Sequence, residues 1–270
     1  MTYDSISLEF LKLPAEGPRR GPPLLFVHGG FHGAWCWHDH FMPWFAARGF
    51  DCHAVSLRDH GNSTRTGKHR EWRLSDYVDD VRRTINQLDE KPILVGHSLG
   101  GSIIQKLAAT EPFPAMILLA PSPVGGSNRA ALRMIRSHPR AMLKAFGKGD
   151  LTAALPAFLT FFLSNDLPDD RRERIAARLD GLSSLKAANE AFYFNPPKPR
   201  PLGFPVLVVS GANDWSIPRY KNEKLAGGYR CDHIVVPTAH DIMCDTRWEA
   251  AADSIFTWMV ANVGTRKWDP

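Results

Sequence analysis

Four largely apolar runs recur in the first 121 residues: PLLFV (23–27), FDCHAVSL (50–57), PILVG (92–96) and AMILLAP (115–121). Each is short for a buried helix and continuous enough to be a strand without a wet face. They therefore predict strands covered on both sides. Helical patterns lie between them. Val78, Val81, Ile85 and Leu88 repeat at helical spacing behind Ser75, a candidate cap, and Leu99–Thr110 carries Ile103, Ile104 and Leu107 along one side. Strand and helix in alternation predict an α/β fold with a mostly parallel, doubly wound sheet. From about 124 to 200 the rhythm is helical only, broken by GKGD, NDLPDD and the proline-rich NPPKPRPLGFP. Strands resume at VLVVSG (206–211) and HIVVP (233–237), and a last helix, with Thr246 as its expected cap, carries Trp248, Ala252, Ile255 and Met259. The expected organisation is a core of residues 1–123 and 205–270, with a helical insertion over 124–204 before the last two strands.

A chain of 270 residues can bury roughly three quarters of its unfolded surface, so no disulfide staple is required. Four cysteines without CxxC spacing read as free thiols in a reducing compartment. The net charge of +5 is scattered, and its densest cluster, RRERIAAR, reads as a solvated helix face rather than a nucleic-acid site. The start shows no secretory pattern, and no apolar run reaches the about 18 residues of a spanning helix. A cytoplasmic protein with a small-molecule substrate, no nucleic-acid partner and no stable membrane association is expected.

The chemistry centres on GHSLG (96–100), which follows the strand PILV and opens a helix. A serine in a strand–turn–helix between glycines is the nucleophile elbow: Oγ is exposed, and the helix N-terminus points at the reacting centre. Ser98 needs a base, because a hydroxyl is a poor nucleophile at neutral pH. His240, in PTAHDIMCD, is the one histidine just beyond the last predicted strand. A histidine base needs a carboxylate to set its tautomer, and Asp214, in SGANDWSIP, follows the strand VLVVS. Asp241 and Asp245 are the competing acids, and Asp241 adjoins the histidine too closely for an easy contact with its Nδ1. The tetrahedral oxyanion of acyl transfer needs backbone donors, one of them the N–H of Leu99. No cofactor is called for, and no metal: WHDH (37–40) lacks a third ligand cluster. His28 and His97 read as structural hydrogen-bonding partners.

The order Ser98, Asp214, His240, together with HGGFHGAWCW, SLRDHGNS, VGHSLGG, GANDWSIP and AHDIM, resembles the α/β-hydrolase superfamily over nearly the whole chain. The first of these motifs resembles the loop of plant-type methyl-ester esterases. The resemblance implies that 124–204 is a cap and that Gly30 supplies the second oxyanion donor, with Phe31 the alternative one residue on. A larger side chain at Gly30 is then expected to crowd the acyl group. Phe31, Phe161, Phe162, Trp215 and Met243 are the substrate-pocket candidates, and the cap arginines are candidate partners for a substrate carboxylate. Asp59 departs from the family pattern, in which glycine commonly precedes HG. Superfamily enzymes with an aspartate nucleophile are set aside by Ser98, and the lysine of the lyase branch is replaced by Asp241. The implied activity is hydrolysis of a carboxylic ester, thioester or lactone through an acyl-serine. Carbon–carbon bond hydrolysis, or a ligand receptor that keeps the triad, is the alternative.

Overall fold

The computed structural model describes residues 6–126, 128–148, 151–180 and 182–263. Seven strands form one sheet in the order β1-β3-β2-β4-β5-β6-β7: β1 Phe10–Leu13, β2 Leu24–Val27, β3 Cys52–Val55, β4 Ile93–His97, β5 Met116–Leu119, β6 Val206–Gly211 and β7 Asp232–Val236. All pairings are parallel except β1 with β3. The sequence reading lacks β1: its FLKL is short, half-exposed and without a continuous apolar run.

Residues of the central strands divide by alternation between two apolar layers. Leu24, Phe26, Ile93, Val95, Ile117, Leu119, Leu207 and Val209 face one side, with α1 (Trp35–His38), α2 (Phe41–Ala46) and α11 (Trp248–Asn262). Leu25, Val27, Leu94, Met116, Leu118, Val206 and Val208 face the other, with α3 (Leu74–Ile85), α4 (Leu99–Ala108) and α10 (Arg219–Tyr229). A strand covered on both faces gains nothing from polar alternation, which is why the central strands read as continuous apolar runs.

Two capping expectations are corrected. Helix α3 starts at Leu74, one residue before Ser75; the Asp76 carboxylate accepts the Arg73 N–H at 2.6 Å, and Glu190 accepts the Leu74 N–H at 2.9 Å. Thr246 does not cap α11 either, because Asp245 Oδ1 accepts the Arg247 N–H at 2.9 Å. In both cases a nearby carboxylate is the better acceptor at a positive helix end.

Between β5 and β6 come α5 (Asn128–Ser137), α6 (Pro139–Lys148), a 3₁₀ turn, α7 (Leu155–Phe162), α8 (Asp169–Arg178) and α9 (Leu185–Asn189), which continues into a π-helical turn, Glu190–Phe194. Of the breaker GKGD, Gly149 and Asp150 lie outside the described residues.

Phe26 is fully buried, its ring 5.0 Å from Trp37 and within 6.4 Å of Phe41. Phe26→Ala should cost about 3–5 kcal/mol in chemical denaturation. A loss under about 1 kcal/mol would contradict this packing.

Candidate active site

Ser98 stands between β4 and α4 with φ 48° and ψ −115°. A side chain in this region costs about 1–3 kcal/mol and persists only where neighbours over-determine it. The Ser98 N–H donates to the Leu119 carbonyl at 3.0 Å, and its own carbonyl accepts the Ser122 N–H at 3.1 Å. The flanking glycines are required by close approach. A Cβ on Gly96 would stand 2.7 Å from the Gly100 carbonyl oxygen, and one on Gly100 would run into the carbonyls of Val27 and His28.

Asp214 lies in the turn after β6. Its Oδ1 accepts the N–H groups of Ser216 and Ile217 at 2.7 and 2.9 Å, and its Oδ2 lies 2.8 Å from His240 Nδ1. Both residues are almost wholly buried. Burial alone would lower the His240 pKa; the Asp214 charge and hydrogen bond, helped by Asp241, outweigh it and raise the value. The competing acids are committed elsewhere. Asp241 Oδ2 takes His32 Nε2 at 3.1 Å, and Asp245 Oδ2 takes the Ala239 N–H at 2.7 Å. Burial opposes the Asp241 charge, yet His32 beside it holds that carboxyl down to about 2. His97 donates from Nε2 to the His240 carbonyl at 3.0 Å and is driven down to about 3 by burial and by His240.

The loop after β2 is pinned peptide by peptide. His28 Nδ1 donates to the Gly29 carbonyl at 2.7 Å while its Nε2 accepts the Leu57 N–H at 3.0 Å, which sets the neutral tautomer. His32 Nδ1 donates to the Gly30 carbonyl at 2.8 Å. Phe31, at φ 68°, donates its N–H to Ser183 Oγ at 2.7 Å. Among the described residues, the N–H groups of Gly30 and Leu99 meet no acceptor, and both residues line the same cavity as Ser98 and His240. The tight glycine of this loop is Gly29, where a Cβ would lie 2.8 Å from His97 Nδ1 and 3.0 Å from Ser98 Cβ. At Gly30 it would meet only Ser183 Oγ among protein atoms, at 3.7 Å.

The cavity measures about 280 Å³ and opens between this loop, the elbow and helices α5, α6, α7 and α9. Phe31 and Phe162 line it, Phe31 packed 4.3 Å from Phe158 and Phe162 4.8 Å from the His240 ring. The other three pocket candidates do not. Phe161, about 100° round α7 from Phe162, turns toward His138 and Arg133. Trp215 is 56% exposed under the Arg133 guanidinium, and Met243 is sealed in the core. No Arg, Lys, Asp or Glu lines the cavity among the described residues, which corrects the expectation of a carboxylate-binding arginine. The arginines of α8 are engaged outside it: Arg171 on His40, Arg174 on Asp170 and Arg178 on Asp39 and Trp35.

His97, His240 and Asp241 bring one potential metal ligand each within 4.8 Å of one another. His97 Nε2, His240 Nδ1 and Asp241 Oδ2 are taken by the partners given above, while His97 Nδ1 and Asp241 Oδ1 have no hydrogen-bond partner among the described residues. Sequence reasoning missed Ser183, His60, the His32–Asp241 pair and the buried Arg58–Asp80 pair, whose closest contact is 2.6 Å. No spacing rule links such residues, although DHG at 59–61 and the histidines at 28 and 32 invite the search for partners. Asp59, at φ 63°, spends its carboxylate on the Thr66 hydroxyl and Trp72 Nε1, both at 2.6 Å, and so organises the loop that follows.

Residues 24–253 match the alpha/beta hydrolase family. Methylesterase 1 of Arabidopsis thaliana is 35% identical over 104 residues, and Salicylic acid-binding protein 2 of Nicotiana tabacum 37% over 105. Each match spans 38% of this chain and 38% of the plant protein. The enol-lactonase from Burkholderia xenovorans superposes with a TM-score of 0.76 at 18% identity, covering 95% of this chain and 98% of that one. A match over residues 24–253, on a parallel sheet with this strand order, shows that the chain belongs to the alpha/beta hydrolase family.

Proposed function

We propose that the chain is a serine hydrolase that cleaves a neutral carboxylic ester, thioester or lactone with an apolar body. The observation that carries this reading is Asp214 Oδ2 at 2.8 Å from His240 Nδ1, with His240 and the elbow serine on one uncharged cavity. His240 takes the Ser98 proton as Oγ attacks the carbonyl, and Asp214 stabilises the imidazolium that forms. The N–H groups of Gly30 and Leu99 receive the oxyanion; Phe31 is the weaker candidate because its N–H already serves Ser183. Protonated His240 returns the proton to the leaving alcohol, and water repeats the sequence in reverse to release the acid.

The uncharged lining supports a substrate whose buried part carries no ionised group, since an unpaired buried charge is costly. Residues 124–204 act in this reading as the cap over the 1–123 and 205–270 core. Its unpaired cysteines suit a cytoplasmic setting. The plant relatives' names support a methyl ester as the first substrate to test.

An alkyl fluorophosphonate should add its mass to the peptide bearing Ser98, and Ser98→Ala should abolish both labelling and turnover of aryl and methyl esters. Labelling elsewhere overturns the assignment. A ligand receptor that keeps the triad would give at most one slow turnover and stop.

Asp214→Asn should lower kcat about 10⁴-fold. The base works only when neutral, so activity should fall as pH drops through the raised His240 pKa, above the ordinary value of about 6.5. In Asp214→Asn that acid limb should move to lower pH. An unmoved limb would assign the titration to another group.

Gly30→Pro removes the donor and should cost 10²–10³ in kcat, about 2.7–4 kcal/mol. Gly30→Ala keeps the N–H and its Cβ meets only Ser183 Oγ, at van der Waals distance, so it should stay within about threefold of the parent. A folded Gly30→Pro enzyme at the parental rate would exclude Gly30 as the donor.

A further inference from the structure

The cap reaches into the oxyanion loop at one residue. Ser183 Oγ accepts the Phe31 N–H at 2.7 Å and lies 2.7 Å from His60 Nε2. His60 Nδ1 donates to the Arg58 carbonyl at 2.9 Å, so Nε2 is the acceptor and the Ser183 hydroxyl proton points to it. Three residues earlier, the Asp180 N–H donates to the Phe31 carbonyl at 3.0 Å. Asp180 and Ser183 of the insertion thus grip Phe31 through both of its backbone polar groups. Ser184 ties Ser183 to the core, donating to the Trp72 carbonyl at 2.6 Å.

This grip bears on the donor one residue away. The Gly30 N–H belongs to the peptide whose carbonyl His28 holds, and the next peptide, Gly30–Phe31, is held at its carbonyl by His32 and at its N–H by Ser183. Gly30 Cα is the swivel between these two planes, and no Cβ restrains it. The first plane is hydrogen-bonded only at its carbonyl, by His28, so its N–H end follows the swivel; the second plane loses half its hydrogen bonds when Ser183 is withdrawn. Phe31 is also held at φ 68°, a conformation a bulky residue leaves readily once its contacts go.

We infer that Ser183 is a positioning residue: through Phe31 it aligns the Gly30 N–H with the developing oxyanion, so the oxyanion hole reaches its working geometry only with Ser183 seated on Phe31. The inference rests on the serine-hydrolase reading above. Ser183 carries out no proton transfer on the substrate; its hydroxyl proton is already committed to His60.

The test compares the parent with Ser183→Ala and Ser183→Thr, using steady-state turnover of an aryl ester and the second-order rate of Ser98 labelling by the fluorophosphonate, whose phosphoryl oxygen needs the same donors. Ser183→Ala should lower kcat and the labelling rate together by about tenfold or more, with KM within about twofold, because a misplaced donor weakens the transition state and not the ground state. Ser183→Thr, which keeps the hydroxyl, should recover most of both. Parental kcat and labelling in a folded Ser183→Ala protein, or a loss confined to KM, overturns the inference. If the alanine variant fails to fold, Ser183→Cys, nearly the same size with a weak acceptor, is measured in its place against the same two outcomes. A parent that is not labelled at Ser98 fails the hydrolase reading itself, which separates the two failures.

Discussion

The first turn of α4 is pressed so closely against the end of β2 that the carbonyls of Val27 and His28 leave no room for a Cβ on Gly100. That contact dictates the elbow. The chain must reverse from strand to helix within one residue, Ser98 takes a left-handed φ, and its N–H is anchored on β5. The same contact sets the helix N-terminus, and the Leu99 N–H with it, beside the loop that follows β2. Ser98, helix end and glycine loop are therefore one packing solution.

Around this solution five buried histidines form two groups: His28 and His60 5.0 Å apart, and His97 lying 4.8 Å from His240 and 6.0 Å from His32. Burial alone would keep all of them neutral. Two have a carboxylate within hydrogen-bond distance of a ring nitrogen, and those two, His32 and His240, are raised; the other three are lowered. Carboxylates are thereby paired with two of the rings, Asp241 with His32 behind the loop and Asp214 with His240 facing the cavity. The lowered histidines act as hydrogen-bonding struts for the backbone, His28 on Gly29, His97 on His240 and His60 on Arg58. His28 and His60 have both ring nitrogens engaged and are therefore stiff, which is what a loop presenting backbone N–H groups needs.

The helical insertion contributes apolar surface and order. Among the described residues none of its charged side chains lines the cavity, so the space over Ser98 is one in which oriented N–H dipoles act strongly. Its Asp180 and Ser183 add hydrogen bonds to Phe31 that the core does not provide. Neither effect is visible from the helical periodicity of α5 to α9. Phe161 and Phe162 are adjacent and alike in chemistry, yet only one lines the cavity, because a helix turns them to different sides.

The amino-acid sequence determined what rests on local and periodic physics. Apolar runs without alternation define β2 and β4 to β7, GHSLG between a strand and a helix marks the elbow, and chain order singles out Asp214 and His240 as candidates at strand ends. Even there it missed β1, whose FLKL is too short and too exposed to stand out. It also misassigned the caps of α3 and α11, where carboxylates displaced Ser75 and Thr246. Tertiary structure alone decided the partners of groups far apart in the chain: Asp241 with His32 rather than His240, Ser183 with Phe31 across 152 residues, and arginines turned away from the cavity. A hydrogen bond is chosen by distance and direction at the last ångström, and no pattern along the chain encodes those until the two segments meet.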